Sequence, residues 1–356
     1  MNTPRTPSVT VVEGGPLVLS QQLDPQQLRG LASLRASPPF ETPDWLRASD
    51  WLARAEQRMA RLSARAGRPR VLSAKSAVVV GDLHGDLGAL YAARLWRDKM
   101  RPESELVLLG DLVDRGPASA STACVCIYWW LKGSEPGVTI VAGNHDVAIR
   151  RDGDSDRFVS SSTPSEFALW IDGAENRGLR HRLAELFVQV VRRLPKWVLL
   201  PGGLLGVHGS VPHADALSTV GSLAELESTP LAAQDLLWLR LAADVRRKRP
   251  NRRSQGCEIG LEDIQDGLDR FQRLLRDTAE MTPIRGLLRG HDHVASRRHI
   301  AWTPDQRPIV TLNSMSFPLP EDSLDSGTAR PVIALVDSAS DGSGYPVVTV
   351  HSLEMP

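Results

Sequence analysis

Three times in this chain a short aliphatic run stops at a glycine and gives way to acids, amides or imidazoles. "SAVVVGDLHGD" runs from Ser76 to Asp86, "ELVLLGDLVDRG" from Glu105 to Gly116, and "GVTIVAGNHD" from Gly137 to Asp146. The steps from Asp82 to Asp111 and from Asp111 to Asn144 are about thirty residues each, the size of one strand–helix–strand unit. Parallel strands joined by right-handed crossovers end on one edge of their sheet, where α/β proteins bind ligands. The pattern therefore predicts that polar clusters far apart in sequence meet in space. Buried carboxylates and imidazoles cost free energy when they stand alone, so such clusters need something that they share.

The segments between these strands carry helical signals. "DLGALYAARLWRDKM" has Asp86 as its N-cap and Leu87, Leu90, Tyr91 and Leu95 on one face. Gly116-Pro117 opens a second helix through "ASASTACVCIYWWL", with Pro117 at its first position. Further on, "KWVLLPGGLLGVHG" and "ARPVIALVDSASDGSGYPVVTVHSL" read as hairpins, and "PIRGLLRGHDH" and "RPIVTLNSMSF" as strands. Helices are expected over "SEFALWIDGAENRGLRHRLAELFVQVVRRL", "LAAQDLLWLRLAADVRRKR" and "GLEDIQDGLDRFQRLL". Residues 1–70 differ in character. Pro-rich stretches there flank "LDPQQLRGLASL" and the amphipathic "TPDWLRASDWLARAEQRMARLSARAG", which is expected to stop near Gly67. This divides the chain into a helical N-terminal extension, 1–70, and a catalytic domain, 71–356.

Composition narrows the function. The 356 residues carry 42 Lys and Arg against 42 Asp and Glu, for a formal net charge of zero. No global field thus favours nucleic acid or an anionic membrane, and any anion must be held by local groups. The basic run Arg246 to Arg253 lacks interleaved aromatics and reads as a solvated loop. The three cysteines, Cys124, Cys126 and Cys257, suit neither a disulfide framework nor a thiolate metal site. With no signal-peptide pattern and no long apolar run, a cytoplasmic protein without membrane contact is expected.

Collecting the groups that follow strands gives Asp82 and His84, then Asp111, Asp114 and Arg115, then Asn144, His145 and Asp146, then His208, and finally His291, Asp292 and His293. Singly, each has an ordinary explanation: His208 a hydrogen-bonded core histidine, "GDLHGD" an Asx-turn, "RGHDH" a surface loop. Together they form a set of hard and borderline oxygen and nitrogen donors, which suits divalent ions. Asp82 and His84 can reach one ion across a turn. Asp111 can bridge two. Asn144, His208 and His291 complete a second. Two ions about 3.5–4 Å apart can stabilise the attacking and leaving oxygens of an in-line displacement at phosphorus.

The ordered motifs "GDLHGD", "GDLVDRG", "GNHD", "VHGS" and "RGHDH" resemble the calcineurin-like metallophosphoesterases, and "GDLVDRG" resembles the phosphoprotein phosphatase branch of Ser/Thr phosphatases and their bacterial relatives. "AQDLLW", "IGLEDIQDGLDRF" and "VTLNSMSFP" are softer matches. The resemblance covers about residues 75–355 and implies an α/β fold: a four-layer αββα sandwich of two mixed β-sheets flanked by helices. It implies Asp82 and His84 on the first metal, Asp111 as the bridge, and Asn144, His208 and His291 on the second. His145 is implied as the general acid, oriented by Asp114, and Arg115 as the phosphate clamp. A second phosphate-binding arginine is expected at either Arg253 or Arg240.

Several residues depart from the family pattern. Asp146 stands where the family usually has Glu, and Ser210 where it has a second Gly. The late loop lacks the usual wording, with Phe317 a stand-in for its aromatic. "GHDH" also resembles the phosphodiesterase branch, in which the second histidine joins the first metal, so His293 is either a ligand or an outer histidine. The implied cofactors are two divalent ions, manganese first, with iron or zinc as alternatives. The implied activity is hydrolysis of a phosphomonoester, on a phosphorylated protein or a small-molecule phosphate, by a hydroxide held between the metals. Hydrolysis of dinucleoside polyphosphates or other nucleotides is the alternative, and a non-catalytic binding scaffold a third.

Overall fold

The structure, a computed structural model, describes residues 9–29, 45–61, 70–132, 137–252, 255–276, 282–319, 330–338 and 345–355. The repeating strand–helix units build the first of two large sheets. Ser76–Val80, Glu105–Leu108 and Val138–Ile140 lie side by side and parallel, with helices Leu87–Met100 and Ser119–Lys132 as their connections. The C-terminal hairpin, Val332–Asp337 with Val347–Glu354, adds antiparallel to Ser76–Val80 and makes the sheet mixed. The second sheet runs in the order Arg298–Trp302, Pro308–Leu312, Gly286–Arg289, Leu204–Val207, Trp197–Leu200 and Arg70–Val71.

Alternation along these strands shows how the sheets stack. Ala77, Val79, Val107, Val198, Leu204, Leu288, Val310 and Ala334 form one core between the two sheets. Val78, Val80, Leu106 and Leu108 face the other way, into a core shared with the helices over the first sheet. Leu199, Leu205, Leu287 and Ile309 do the same beneath helices Pro230–Trp238 and Leu261–Arg276. The result is the four-layer αββα sandwich.

Two short strands precede the first helix of this unit: Arg70–Val71 joins the second sheet and Ser76–Val80 the first. Three local expectations are corrected. Pro117 is not the first helical residue, because the helix starts at Ser119. The Ser119 hydroxyl accepts the Asp114 amide at 3.0 Å, and Ala118 N–H donates to Gly85 O at 3.1 Å, which holds 114–118 as a turn. The helix expected through "LAADVRRKR" ends at Trp238. Arg240–Leu241 instead pairs parallel with Glu258–Ile259, and the Leu241 amide goes to Asp292 Oδ2 at 2.9 Å. The long helix expected from Glu166 is two, Glu166–Ile171 and Arg177–Val191.

In the N-terminal segment the amphipathic helix forms over Trp45–Arg61 and buries Leu52, Ala55 and Met59. Strands Thr10–Glu13 and Leu17–Val18 also pair parallel with Val347–Glu354 at the sheet edge. The expected stop at Gly67 lies outside the described residues. Among the described residues no helix is long and apolar enough to cross a membrane.

Candidate metal centre

The two sheets meet at one edge. Asp82, just past Ser76–Val80, bridges to Asn313, just past Pro308–Leu312, and Ser314 N–H donates to Asp82 O at 2.8 Å. Every strand end singled out in the sequence opens onto this seam. Asp82, His84, Asp111, Asn144, His208 and His291 are all buried.

Three overlapping clusters form there: Asp82 with His84 and His293, His84 with Asp111 and His145, and Asp111 with His208 and His291. Within each, one atom per side chain lies within 4.8 Å of the others. His293 therefore joins the first cluster. Its Nε2 is 3.2 Å from Asp82 Oδ2 and 3.1 Å from His84 Nε2. Asn144 Oδ1 closes the other side, 2.8 Å from His208 Nε2.

The bonds that aim these groups come from the backbone. His84 Nδ1 is 3.0 Å from Val113 O, and His208 Nδ1 is 2.9 Å from Leu109 O. A carbonyl can only accept, so in each ring Nδ1 carries the proton and Nε2 is turned inward. His208 Nε2 then faces two more acceptors, Asn144 Oδ1 at 2.8 Å and Asp111 Oδ1 at 3.3 Å. Such a contact requires positive charge between the atoms, a proton or a cation. His291 Nε2 is buried with no hydrogen-bond partner. An orphaned imidazole nitrogen beside converging carboxylates fits a divalent ion, and the donor set of carboxylate, imidazole and amide oxygen fits the same.

Electrostatics agree. Burial opposes charge on His208, but Asp111 and Asp82 outweigh it and push the imidazole up to about 9. Burial likewise opposes ionisation of Asp111, yet His208 and His145 hold it well below the usual carboxylate range. Burial drives His84 and His291 well below the ordinary imidazole value, so both stay neutral and present lone pairs.

Close backbone approach makes the cluster possible. A Cβ on Gly143 would sit 2.0 Å from Asp111 N, and one on Gly290 would sit 2.1 Å from Asp82 Oδ1. His84, Asp111, Asp114, Arg115 and His291 adopt left-handed backbone, with φ of 45°, 51°, 68°, 66° and 69°. Non-glycine residues avoid this region. Its concentration here marks a functional site.

Beside the cluster, His145 Nδ1 is 2.8 Å from Asp114 Oδ2, and His145 N–H donates to Asp111 Oδ1 at 2.9 Å. Burial opposes charge on His145, but Asp111 and the hydrogen-bonded Asp114 raise its pKa above the ordinary value. Asp146 accepts Leu112 N–H and Gly143 N–H at 2.9 Å each and so fastens the two loops together. Arg115 follows Asp114, and its backbone N–H donates to Glu166 Oε2 at 3.1 Å. Arg240 Nη1 donates to His291 O at 3.0 Å and Asp292 Oδ1 at 3.1 Å, which puts it beside the cluster. Arg253, its rival, lies outside the described residues. Phe317 packs against the turn at Gly116, where an added Cβ would lie 2.7 Å from its Cε1.

Sequence reasoning missed several supports. Arg289 is fully buried and ties together Gly209 O, Leu239 O at 2.8 Å and the Asp292 carboxylate. Ser162 stands 3.5 Å from Asn144 Nδ2. Asn313 and Ser314 pin Asp82. Position inside "LLRGHDH" could have flagged Arg289, because an arginine ending a buried strand needs carbonyl partners.

The calcineurin-like phosphoesterase family model matches residues 76–295, more than half of the chain and all of the strand-end motifs. The chain belongs to the calcineurin-like phosphoesterases. Members of this family hydrolyse phosphoesters. Among solved structures, a protein serine/threonine phosphatase from Saccharomyces cerevisiae with similarity to human phosphatase PP5 superposes with a TM-score of 0.54. It shares 18% identity over 92% of this chain and 97% of that one, a likeness of fold. A metallophosphoesterase from Sphaerobacter thermophilus gives a TM-score of 0.39 at 18% identity, over 79% of this chain and 89% of that one. A cold-active protein-tyrosine phosphatase of Shewanella sp. gives 0.42 at 14% identity, over 83% and 86%.

Proposed function

We propose that this phosphoesterase is a dinuclear metal-dependent phosphomonoesterase acting on phosphoserine and phosphothreonine in proteins. Asp82, His84 and His293 would hold one ion, and Asn144, His208 and His291 the other, with Asp111 between them. Bound divalent ions supply Lewis acidity, which neutralises charge on the phosphoryl group and makes water nucleophilic at neutral pH; manganese is the first ion to try.

The observation that carries the reading is the His145–Asp114 pair set against Asp111. An alkoxide from serine or threonine is a poor leaving group and needs a proton as the ester bond breaks. With Nδ1 committed to Asp114, the proton on His145 Nε2 is the one available to it. Asp114 keeps the ring in that tautomer and stabilises its charge. Arg115 suits the phosphoryl oxygens, since a guanidinium can donate to two of them at once. Arg240, anchored on His291 O, would serve as the second arginine for the same group.

The test is a turnover screen of phosphoserine, phosphothreonine and phosphotyrosine peptides and diadenosine tetraphosphate, with and without manganese. Manganese-dependent release of phosphate from the first two is expected. Turnover of diadenosine tetraphosphate alone would replace this reading with a nucleotide hydrolase. Purified protein that binds no divalent ion and turns over nothing would make it a scaffold.

A further inference from the structure

A cavity of about 170 Å³ opens beside the His145–Asp114 pair, lined by residues 116–118 of the turn, by 119–121 at the start of the following helix, and by Glu166, Phe167 and Trp170. It is joined to the catalytic groups by hydrogen bonds. Asp114 Oδ1 accepts the Phe167 amide at 2.9 Å, while Oδ2 holds His145. Glu166 Oε2 accepts the Arg115 amide at 3.1 Å. The cavity therefore borders the backbone of Asp114 and Arg115.

We infer that this cavity is a specificity subsite for an aromatic side chain flanking the phosphorylated residue of a peptide substrate, an inference that rests on the protein phosphatase reading above. Size supports it, because a cavity of about 150 Å³ is enough to take a benzene ring. The walls support it too. Phe167 and Trp170 stack at 5.9 Å, and the Arg180 guanidinium lies 4.5 Å from the centroid of the Trp170 ring. Trp170 is thereby held in place as a wall, and aromatic groups add stacking energy beyond simple burial.

The Ser121 hydroxyl gives the site polarity. Ser121 is 2% exposed, lines the cavity, and its Oγ has no hydrogen-bond partner. It sits in the first turn of helix Ser119–Lys132, where backbone N–H groups also lack helical partners. A ring with a hydroxyl tip, as in tyrosine, can satisfy Oγ where phenylalanine cannot. The Glu166 carboxylate at the rim opposes an acidic residue in the same place.

The experiment compares phosphoserine peptides that differ only in the flanking residues: glycine throughout, or one tyrosine, phenylalanine, leucine or aspartate at each of the two positions on either side. At one position tyrosine is expected to raise kcat/KM at least 5-fold over glycine, with phenylalanine and leucine intermediate and aspartate below glycine. In Ala120→Met, which fills the cavity, the tyrosine-to-glycine ratio should fall to about one. In Trp170→Ala, which removes a wall, it should fall likewise. Ser121→Ala should bring tyrosine down to phenylalanine. Turnover of all these peptides with no aromatic preference, or a preference that survives both Ala120→Met and Trp170→Ala, overturns the subsite and leaves the phosphatase reading intact. No turnover of any phosphopeptide, while p-nitrophenyl phosphate is hydrolysed, overturns both.

Discussion

The carboxylate of Asp114 divides its two oxygens between His145 and Phe167. Oδ2 lies 2.8 Å from His145 Nδ1, and Oδ1 accepts the Phe167 amide at 2.9 Å. One residue thus fixes the tautomer of His145 and also holds the start of the helix that walls the neighbouring cavity. Proton donation by a positioned side chain contributes about 10²–10⁴-fold. His145→Gln is therefore expected to lower kcat at least about 100-fold on a phosphoserine peptide. On p-nitrophenyl phosphate, whose leaving group needs little protonation, the loss should stay under about 10-fold. Equal losses on the two substrates would remove His145 from the role of acid. Asp114→Asn should follow the same split.

Asp111 Oδ1 accepts His145 N–H at 2.9 Å and lies 3.3 Å from His208 Nε2. The carbonyl of an asparagine can keep the first contact but carries no charge. Asp111→Asn is expected to retain the circular dichroism of the parent while losing activity and at least one bound ion by elemental analysis. Wild-type turnover in this variant would sink the metal mechanism.

Asp82, Asp111 and the imidazoles around them converge with only protons to share among them when metal is removed. A ligand that binds only the folded state at 100 times its Kd stabilises by about 2.7 kcal/mol. Chelation is thus expected to lower Tm by several degrees, and manganese to restore it. A Tm that ignores both treatments argues against ions in the seam.

Arg289 is the buried hub beneath the "GHDH" turn. Removing one partner from a buried, bonded ion pair costs about 3–5 kcal/mol. Arg289→Met should lower stability by about 3 kcal/mol in urea denaturation, because Asp292, Gly209 O and Leu239 O lose a donor together. A change under about 1 kcal/mol would show that Arg240 and the Leu241 amide suffice for Asp292.

What could be read in the sequence was whatever local pattern controls. Val78–Val80 followed by Gly81-Asp82 announces a strand end, and thirty-residue spacing announces parallel neighbours, so the convergence of Asp82, Asp111 and Asn144 was legible. The second sheet was harder, because its strands come from hairpins and returns with no repeating length. Arg240 shows why. Its segment has helical composition, but Leu241 N–H is drawn off by Asp292 and Arg240 by His291 O, partners about fifty residues away that no local pattern reveals. His293 was ambiguous for the same reason. Whether "GHDH" turns its second histidine inward depends on Asp82 and His84, which come from the other sheet.

The left-handed turns at His84, Asp111, Asp114, Arg115 and His291 have a consequence for how this chain tolerates heat. Each such conformation costs about 1–3 kcal/mol when the residue is not glycine. Glycine replacements at these points would ease the native backbone while deleting the chemistry. A variant selected only for thermal endurance would therefore tend to shed its own metal-ligating seam, and endurance that spares the seam has to come from the layers behind it.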